Sequence, residues 1–394
     1  MVSAGDLRAA AEVLKPQLVA WRRRLHQCPE LSFAERETAA LVAGVLRELG
    51  LQVRSGIGGT GVVGVLAGTG DGPGVALRAD MDALPLQEDT GEEFASRYPG
   101  RMHGCGHDAH MALVLGAAAL LAERRQELPG PVVFIFQPGE EMPPGGARLM
   151  LEAGVLDDPP VKAAFGLHVT AYLPVGTVGV RSGAIMASAD NFTIKIKGRT
   201  SHGASPHLGA DAIVAAAQAV LALQTIVARR LDPVQPAVLT VGTIHGGEKE
   251  NIVAGQVTMT GTTRALNNVI RKQMEDSMRQ VLAGVAAASG TAIDMDYLRG
   301  YPPLINDEGL TDLFRRVAGA VLGPDKVLEL ATPSLGAEDF ARYAEKIPAV
   351  YFNLGAAIPG AEPHPWHHPQ FNINEDCLPI GAALLASLAV ETLR

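Results

Sequence analysis

The chain has 394 residues, 47% of them hydrophobic and 19% charged, and a formal net charge of −9. That is enough apolar material for two domains with ample cores, and it excludes a disordered chain. The acidic balance argues against nucleic acid or an anionic membrane as the main partner, while leaving room for a local basic pocket. Three cysteines far apart in sequence, Cys28, Cys105 and Cys377, do not make a disulfide framework, and the N-terminus lacks a secretory pattern. A reducing, cytoplasmic location is therefore expected. The longest uncharged apolar run, residues 377–390, contains Pro379 and is shorter than the ~20 residues of a membrane span.

In chain order, helical patterns cover residues 7–14, where Pro16 should interrupt the helix, and 34–49, stopped by Gly50. The run Gly56-Ile57-Gly58-Gly59-Thr60-Gly61 matches a dinucleotide-binding fingerprint, but Val62-Val63-Gly64-Val65-Leu66 follows and reads as a strand, whereas the fingerprint must open a helix. A glycine-rich hairpin is expected, with no nicotinamide or flavin. Residues 75–78 form an apolar strand running into Asp80 and Asp82, residues 107–125 an alanine- and leucine-rich helix, and residues 132–136 and 163–168 buried strands. Polar residues stand at the C-terminal ends of these strands, where open α/β sheets place their sites.

The pattern changes near Arg181. A strictly alternating strand (191–197), a helix (210–230), two strands (237–244 and 252–262), a helix (269–289) and an alternating strand (292–297) give the order β-α-β-β-α-β of a ferredoxin-like unit. From about residue 310 the α/β pattern returns, with a strand at 349–354 and a terminal helix. The expected architecture is a doubly wound α/β domain made of residues 1–182 and 299–394, with an α+β domain of residues 183–298 inserted in it.

The densest chemistry lies in His103-Gly104-Cys105-Gly106-His107-Asp108-Ala109-His110. Imidazole and thiolate suit borderline-soft divalent metals. Cys105 and His107 are two apart, so an extended stretch would point both at one metal. After the strand at 132–136, Glu140 and Glu141 follow a Gln137-Pro138-Gly139 turn. One carboxylate can ligate while the other acts as a general base, the division that metal-assisted hydrolysis needs. Asp80 and Asp82 fit a helix cap or a carboxylate that orients a ligand histidine. His168 ends another strand, and His364, His367 and His368 occupy a proline-rich loop.

Taken together these residues resemble the metal-dependent amidohydrolase family of aminoacylases, hippurate hydrolases and indoleacetyl-amino-acid hydrolases, relatives of the dinuclear-zinc aminoacylase and carboxypeptidase group. The motifs run almost the whole chain: Arg24-Leu25-His26-Gln27-Cys28-Pro29-Glu30-Leu31-Ser32-Phe33, residues 78–85, 103–110 and 136–141, Gly166-Leu167-His168, Ser201-His202-Gly203, Gly336-Ala337-Glu338-Asp339-Phe340 and His367-His368-Pro369-Gln370-Phe371. The resemblance implies a metallopeptidase-like catalytic domain with an inserted dimerisation or lid domain. It implies one or two divalent ions (Zn, Mn, Co or Ni) held by Cys105, His107, Glu141, His168 and His367, the last preferred over His368. It makes Glu140 the general base and Asp82 the carboxylate beside the metal. Asp80 stands where the carboxypeptidase relatives have a histidine ligand. In the insert, His202 resembles a histidine given across a dimer interface to the oxyanion, and Asn251 and Arg264 match positions that hold the substrate carboxylate. The implied reaction is hydrolysis of an N-acyl-L-amino acid by a homodimer or dimer-based tetramer. A carboxypeptidase or dipeptidase, or a non-catalytic metal-binding protein on the same scaffold, is the alternative.

Overall fold

The structure is a computed structural model that describes residues 4–394. The chain divides into two compact units, the first running to Ile185 and resuming over Ile305–Thr332 and Asp339–Arg394, the second comprising Met186–Leu304 and Pro333–Glu338.

The first unit opens with α1 (Ala4–His26), α2 (Arg36–Glu48) and three strands, β1 (Gln52–Ile57), β2 (Gly61–Leu66) and β3 (Gly74–Asp80). It continues through α3 (His107–Ala122), β4 (Val132–Gln137), α4 (Gly146–Glu152), β5 (Val161–Pro174), β6 (Val178–Val180) and β7 (Gly183–Met186). The second unit carries β8 (Ala189–Lys197), α5 (Ala212–Thr225), β9 (Ala237–Gly246), β10 (Gln256–Ala265), α6 (Asn268–Ser289) and β11 (Ala292–Tyr301). The chain then returns through β12 (Leu304–Asn306), α7 (Glu308–Leu322), β13 (Val327–Glu329), α8 (Ala341–Ala344), β14 (Ala349–Ala357) and α9 (Cys377–Leu393).

Eight strands of the first unit form one mixed sheet in the order β1-β2-β4-β3-β5-β14-β6-β13. Its centre, β4-β3-β5-β14, is parallel. β3 and β4 are buried along their full length, which is why they read as apolar runs without alternation. α3 is buried on every face, from His107 to Leu121. The glycine run at 56–61 lies in the antiparallel β1–β2 hairpin and leads into β2, a strand.

Two local expectations need correction. Pro16 does not end the first helix, since α1 runs from Ala4 to His26 with Pro16 inside it. Pro16 is exposed, while Leu7, Ala11, Leu18 and Leu25 are buried in the main core. Burial of each of the three leucines gains about 1.5–3 kcal/mol, and together they exceed the ~3 kcal/mol an interior proline costs. The strand expected from residue 252 begins instead at Gln256.

The insert is a four-stranded antiparallel sheet in the order β11-β8-β10-β9. Alternation in β8 buries Phe192, Ile194 and Ile196 in a core shared with α5 and α6. Asp211 caps α5 by accepting from the Ile213 and Val214 N–H groups, and the helix passes into a π turn at Ile226–Arg230. The segment Ala212–Arg230 is long and apolar enough to cross a membrane by length and composition alone. Its Ala212, Ala215, Ala216, Ala219 and Leu223 pack in the insert core.

Candidate metal centre

The polar residues of the first unit gather at the C-terminal ends of β3 and β4, at the start of α3 and in the loop after β14, whereas His168, expected to end its strand, stands inside β5, which runs on to Pro174. Cys105 and His107 do converge, but not from an extended stretch. Gly106 between them caps α3 in the left-handed region (φ 90°), and a Cβ there would lie 2.5 Å from Val169 Cγ2. The glycine turns the chain tightly enough for thiol and imidazole to face one point. One atom each of Cys105, His107 and His168 lie within 4.8 Å of one another; so do those of Cys105, Glu141 and His367, and those of His107, Glu140 and Glu141.

Hydrogen bonds fix the ring nitrogens. His107 Nδ1–H donates to the Asp82 carbonyl at 2.8 Å, leaving Nε2 facing Asp80 Oδ2 at 3.7 Å and Glu141 Oε1 at 4.0 Å. His168 Nδ1–H donates to the Val169 carbonyl at 2.9 Å, and its Nε2 lies 3.3 Å from Cys105 Sγ. His367 Nε2 stands 3.1 Å from Glu141 Oε1. The loop that carries His367 is tied down by the His367 N–H on the Gly104 carbonyl and Trp366 Nε1 on the Val169 carbonyl, with the Trp366 ring 4.1 Å from His168. His368 is turned away and stacks on His364 at 4.5 Å. His110 is also excluded as a ligand: its Nε2 accepts from the Val169 N–H at 3.0 Å and its Nδ1–H donates to Asp80 at 2.7 Å, so both nitrogens are spent.

Asp82 is buried under the turn that bears the two glutamates. Its Oδ1 accepts from the Glu140 N–H and its Oδ2 from the Glu141 N–H, each at 3.0 Å, and Ser32 adds a hydroxyl at 2.6 Å. Asp80 is paired with Arg78 Nη1 at 2.7 Å, and Arg78 Nη2 reaches Asp339 at 2.8 Å.

The electrostatics point to a cation. Burial and the carboxylates of Glu141, Glu140 and Asp80 push the Cys105 thiol well above its usual pKa. Burial opposes charge on His107, yet Asp80, Asp82 and Glu141 hold its imidazolium up to about 10. Glu141 Oε1 is buried, and the groups that face it are the Nε2 atoms of His367 at 3.1 Å and His107 at 4.0 Å. A carboxylate, a thiol and three imidazoles gathered in overlapping groups of three form the kind of donor set a divalent metal takes, so the residues fit the implied ion.

His202, Asn251 and Arg264 belong to the insert. His202 and Asn251 are exposed neighbours, joined by a bridge between His202 and Ile252. The Ala204 N–H donates to His202 Nδ1 at 3.0 Å, which leaves the ring proton on Nε2. Arg264 lies half-buried on β10 and makes no hydrogen bond or ion pair among the described residues; burial lowers its pKa from the usual value.

Sequence reasoning gave no role to a buried chain behind the Cys105–His107 loop. Arg22 Nε donates to Asp108 at 2.8 Å, and His26 bridges Asp108 at 2.8 Å and Glu88 at 3.1 Å. These ties anchor the first turn of α3 to α1. The nearest signal was His26 inside the Arg24–Phe33 motif, and a single histidine at a helix end carries little. His103 is buried with neither ring nitrogen hydrogen-bonded, and burial lowers its pKa to about 4, so the ring is neutral and outside the ligand cluster.

Comparison with known proteins places the fold. Residues 76–391 match the model of peptidase family M20/M25/M40. The chain is similar to the N-acetyl-L-cysteine deacetylase of Bacillus subtilis (42% identity, over 93% of this chain and 85% of that one). It is also similar to thermostable carboxypeptidase 1 of Saccharolobus solfataricus (40% identity, 94% of each). Among solved structures, the Bacillus subtilis YXEP protein, a dinuclear metal-binding peptidase of family M20, superposes with a TM-score of 0.85 at 38% identity, over 97% of this chain and 99% of that one. With the α/β sheet, the separate antiparallel insert and the ligand cluster in place, the chain belongs to peptidase family M20/M25/M40, a family of metal-binding hydrolases.

Proposed function

We propose that this hydrolase cleaves N-acyl-L-amino acids to a carboxylate and a free amino acid. The observation that carries the reading is Glu140 standing beside the Cys105, His107, Glu141, His168 and His367 cluster while Asp82 holds the backbone beneath it. The similarity to a deacetylase of an N-acylated amino acid supports the substrate class. A divalent ion held by those five residues would polarise the amide carbonyl and acidify a water molecule. Glu140 takes the proton of the attacking water and delivers it to the nitrogen of the leaving amine. Asp82 fixes the Glu140 and Glu141 N–H groups and sets the His107 tautomer through its carbonyl. His202, with its proton on Nε2, donates to the carbonyl oxygen as charge develops there. Arg264 and Asn251 hold the α-carboxylate, for which a half-buried guanidinium with no hydrogen-bonded or ion-paired carboxylate of its own is suited.

The active assembly in this reading is a homodimer or dimer of dimers. The insert leaves β9 as a sheet edge, with Ile244 on it exposed, and α5 exposes Ile213, Val214 and Leu221. Gly247 at the end of β9 lies against Ile213, so strand edge and apolar helix face are contiguous, which suits two-fold pairing. If His202 serves the partner's site, mixing His202→Ala with Glu140→Ala subunits should return roughly a quarter of wild-type activity, because half of randomly mixed dimers carry one working site of two. Demonstrated subunit exchange with no recovery would mean that His202 acts within its own chain or not at all.

The deciding experiment loads metal-free protein with Zn²⁺, Mn²⁺, Co²⁺ or Ni²⁺ and compares kcat/KM on acetyl, benzoyl and indoleacetyl amino acids with that on dipeptides. Preference for the acyl conjugates is expected. Preference for dipeptides favours the carboxypeptidase reading, to which the Saccharolobus relative lends weight. Metal binding without turnover of either class favours a binding protein.

A further inference from the structure

Among the described residues, Phe33 and His367 are the two non-glycine residues in the left-handed region, at φ 62° and 64°. Such strain persists where the surroundings impose it, and it gathers at functional sites. His367 belongs to the ligand cluster, whereas Phe33 has no polar group to offer. Its ring packs on the backbone of Gly139, one residue before Glu140. Gly139 is itself left-handed (φ 60°), and a Cβ there would fall 2.4 Å from the ring. Two residues further on, Glu35 is fully buried. Its Oε1 accepts from the N–H groups of Phe33 and Gly139 at 2.9 Å each, and its Oε2 from the Thr60 hydroxyl at 2.5 Å.

Three successive N–H groups of the Gly139–Glu140–Glu141 turn thus end on buried carboxylates, the first on Glu35 and the next two on Asp82. Ser32 ties the same α1–α2 link to Asp82. Thr60 brings in the glycine-rich β1–β2 hairpin, which the chemistry above leaves without a role. Burying a carboxylate is costly unless its oxygens are satisfied. An apolar residue would fill position 35 at lower cost if packing were its only duty.

We propose that Glu35 and Phe33 are positioning residues for Glu140: they lock Gly139 in the left-handed turn that sets the Glu140 carboxylate against Glu141 and His107. The proposal rests on the reading of Glu140 as proton acceptor. Glu35→Gln keeps an oxygen for the two N–H groups and presents its amide to the Thr60 oxygen, so it should retain near-wild-type kcat. Glu35→Ala should lower kcat roughly 10–100-fold, the scale of a misplacement of about 1 Å, with KM and metal content unchanged. In a Glu140→Gln background the same Glu35→Ala change should cost about twofold or less, because its target is already gone. Equal losses in both backgrounds overturn the positioning role alone. Full activity in Glu140→Gln overturns the base assignment and the positioning role with it. Should Glu35→Ala fail to fold, Thr60→Val removes one donor. Its several-fold loss in kcat should vanish in the Glu140→Gln background, and persistence there overturns the proposal.

Discussion

The two units treat charge in opposite ways. In the first, Arg22, Arg78, Asp80, Asp82, His107, Asp108, His110 and Asp339 are each 2% exposed or less, and α3, which starts with two of the proposed ligand positions around it, has no polar face at all. In the insert, Asp190 and Arg271 form one buried ion pair, and the open face of the sheet carries exposed pairs such as Lys197 with Asp294. α6 there is amphipathic, its Met274, Met278, Val281 and Leu282 inside. Charges left in water contribute little and can drift. Charges withdrawn from water must each meet a partner, and the partners then fix their geometry. The first unit therefore fixes its charged groups through buried partners, while the insert leaves most of its charges on the surface.

Glu140→Gln should separate the two kinds of burial most sharply, lowering kcat by roughly 10²–10⁴ with metal content and thermal stability nearly unchanged. Glu141→Gln should instead lower metal occupancy, read by elemental analysis. The opposite pairing would exchange the two roles. In the insert, Arg271→Ala strands Asp190, which accepts from Arg271 Nε, Arg271 Nη2, Tyr297 and the Gly300 N–H. Loss of that partner should cost about 3–5 kcal/mol in urea unfolding, while metal content per folded molecule stays constant; a parallel fall in metal would break the contrast. His26 gives a pH signature in the first unit. Burial opposes its charge, but Asp108 and Glu88 raise its pKa above the usual value. The stability lost in His26→Asn should thus be greatest below about pH 6.5 and should shrink as pH rises through the raised His26 pKa. A gap that widens with pH would show the ring to be neutral in the folded protein. The smallest effect belongs to the surface of the insert: Asp211→Ala should cost about 1 kcal/mol and leave kcat untouched.

Much of this was legible from side-chain pattern. Buried parallel strands announce themselves as apolar runs, so β3, β4 and β5 and the polar residues at the ends of the first two were within reach, and the alternation of β8 and β11 marked the insert; that β5 runs six residues past His168 was not. What escaped depends on backbone geometry or on distant partners. The left-handed Gly106 that brings Cys105 and His107 together, and the left-handed Phe33 and His367, leave no trace in composition. Glu35 looks like an ordinary helix-start acid until Gly139 and Thr60 are seen to arrive from elsewhere. Pro16 misled because the helix-breaking rule is local, whereas the helix is held by burial against remote segments. The three-residue strands β6 and β13 carry too few side chains for a period to show.

The pairing of β5 with β14 has a consequence for how the protein is made. These neighbours join residues on either side of the insert, Ala164 with Ala349 through Thr170 with Gly355, and His367 follows the later strand. A growing polypeptide can complete the insert sheet early, since its strands are contiguous in sequence. The larger sheet waits until translation has passed β14, and the proposed ligand set until His367 has emerged. Closing so long a loop is entropically costly and slow. A donor set of the kind proposed above is therefore complete only near the end of synthesis, since His367 is made long after Cys105, His107, Glu141 and His168.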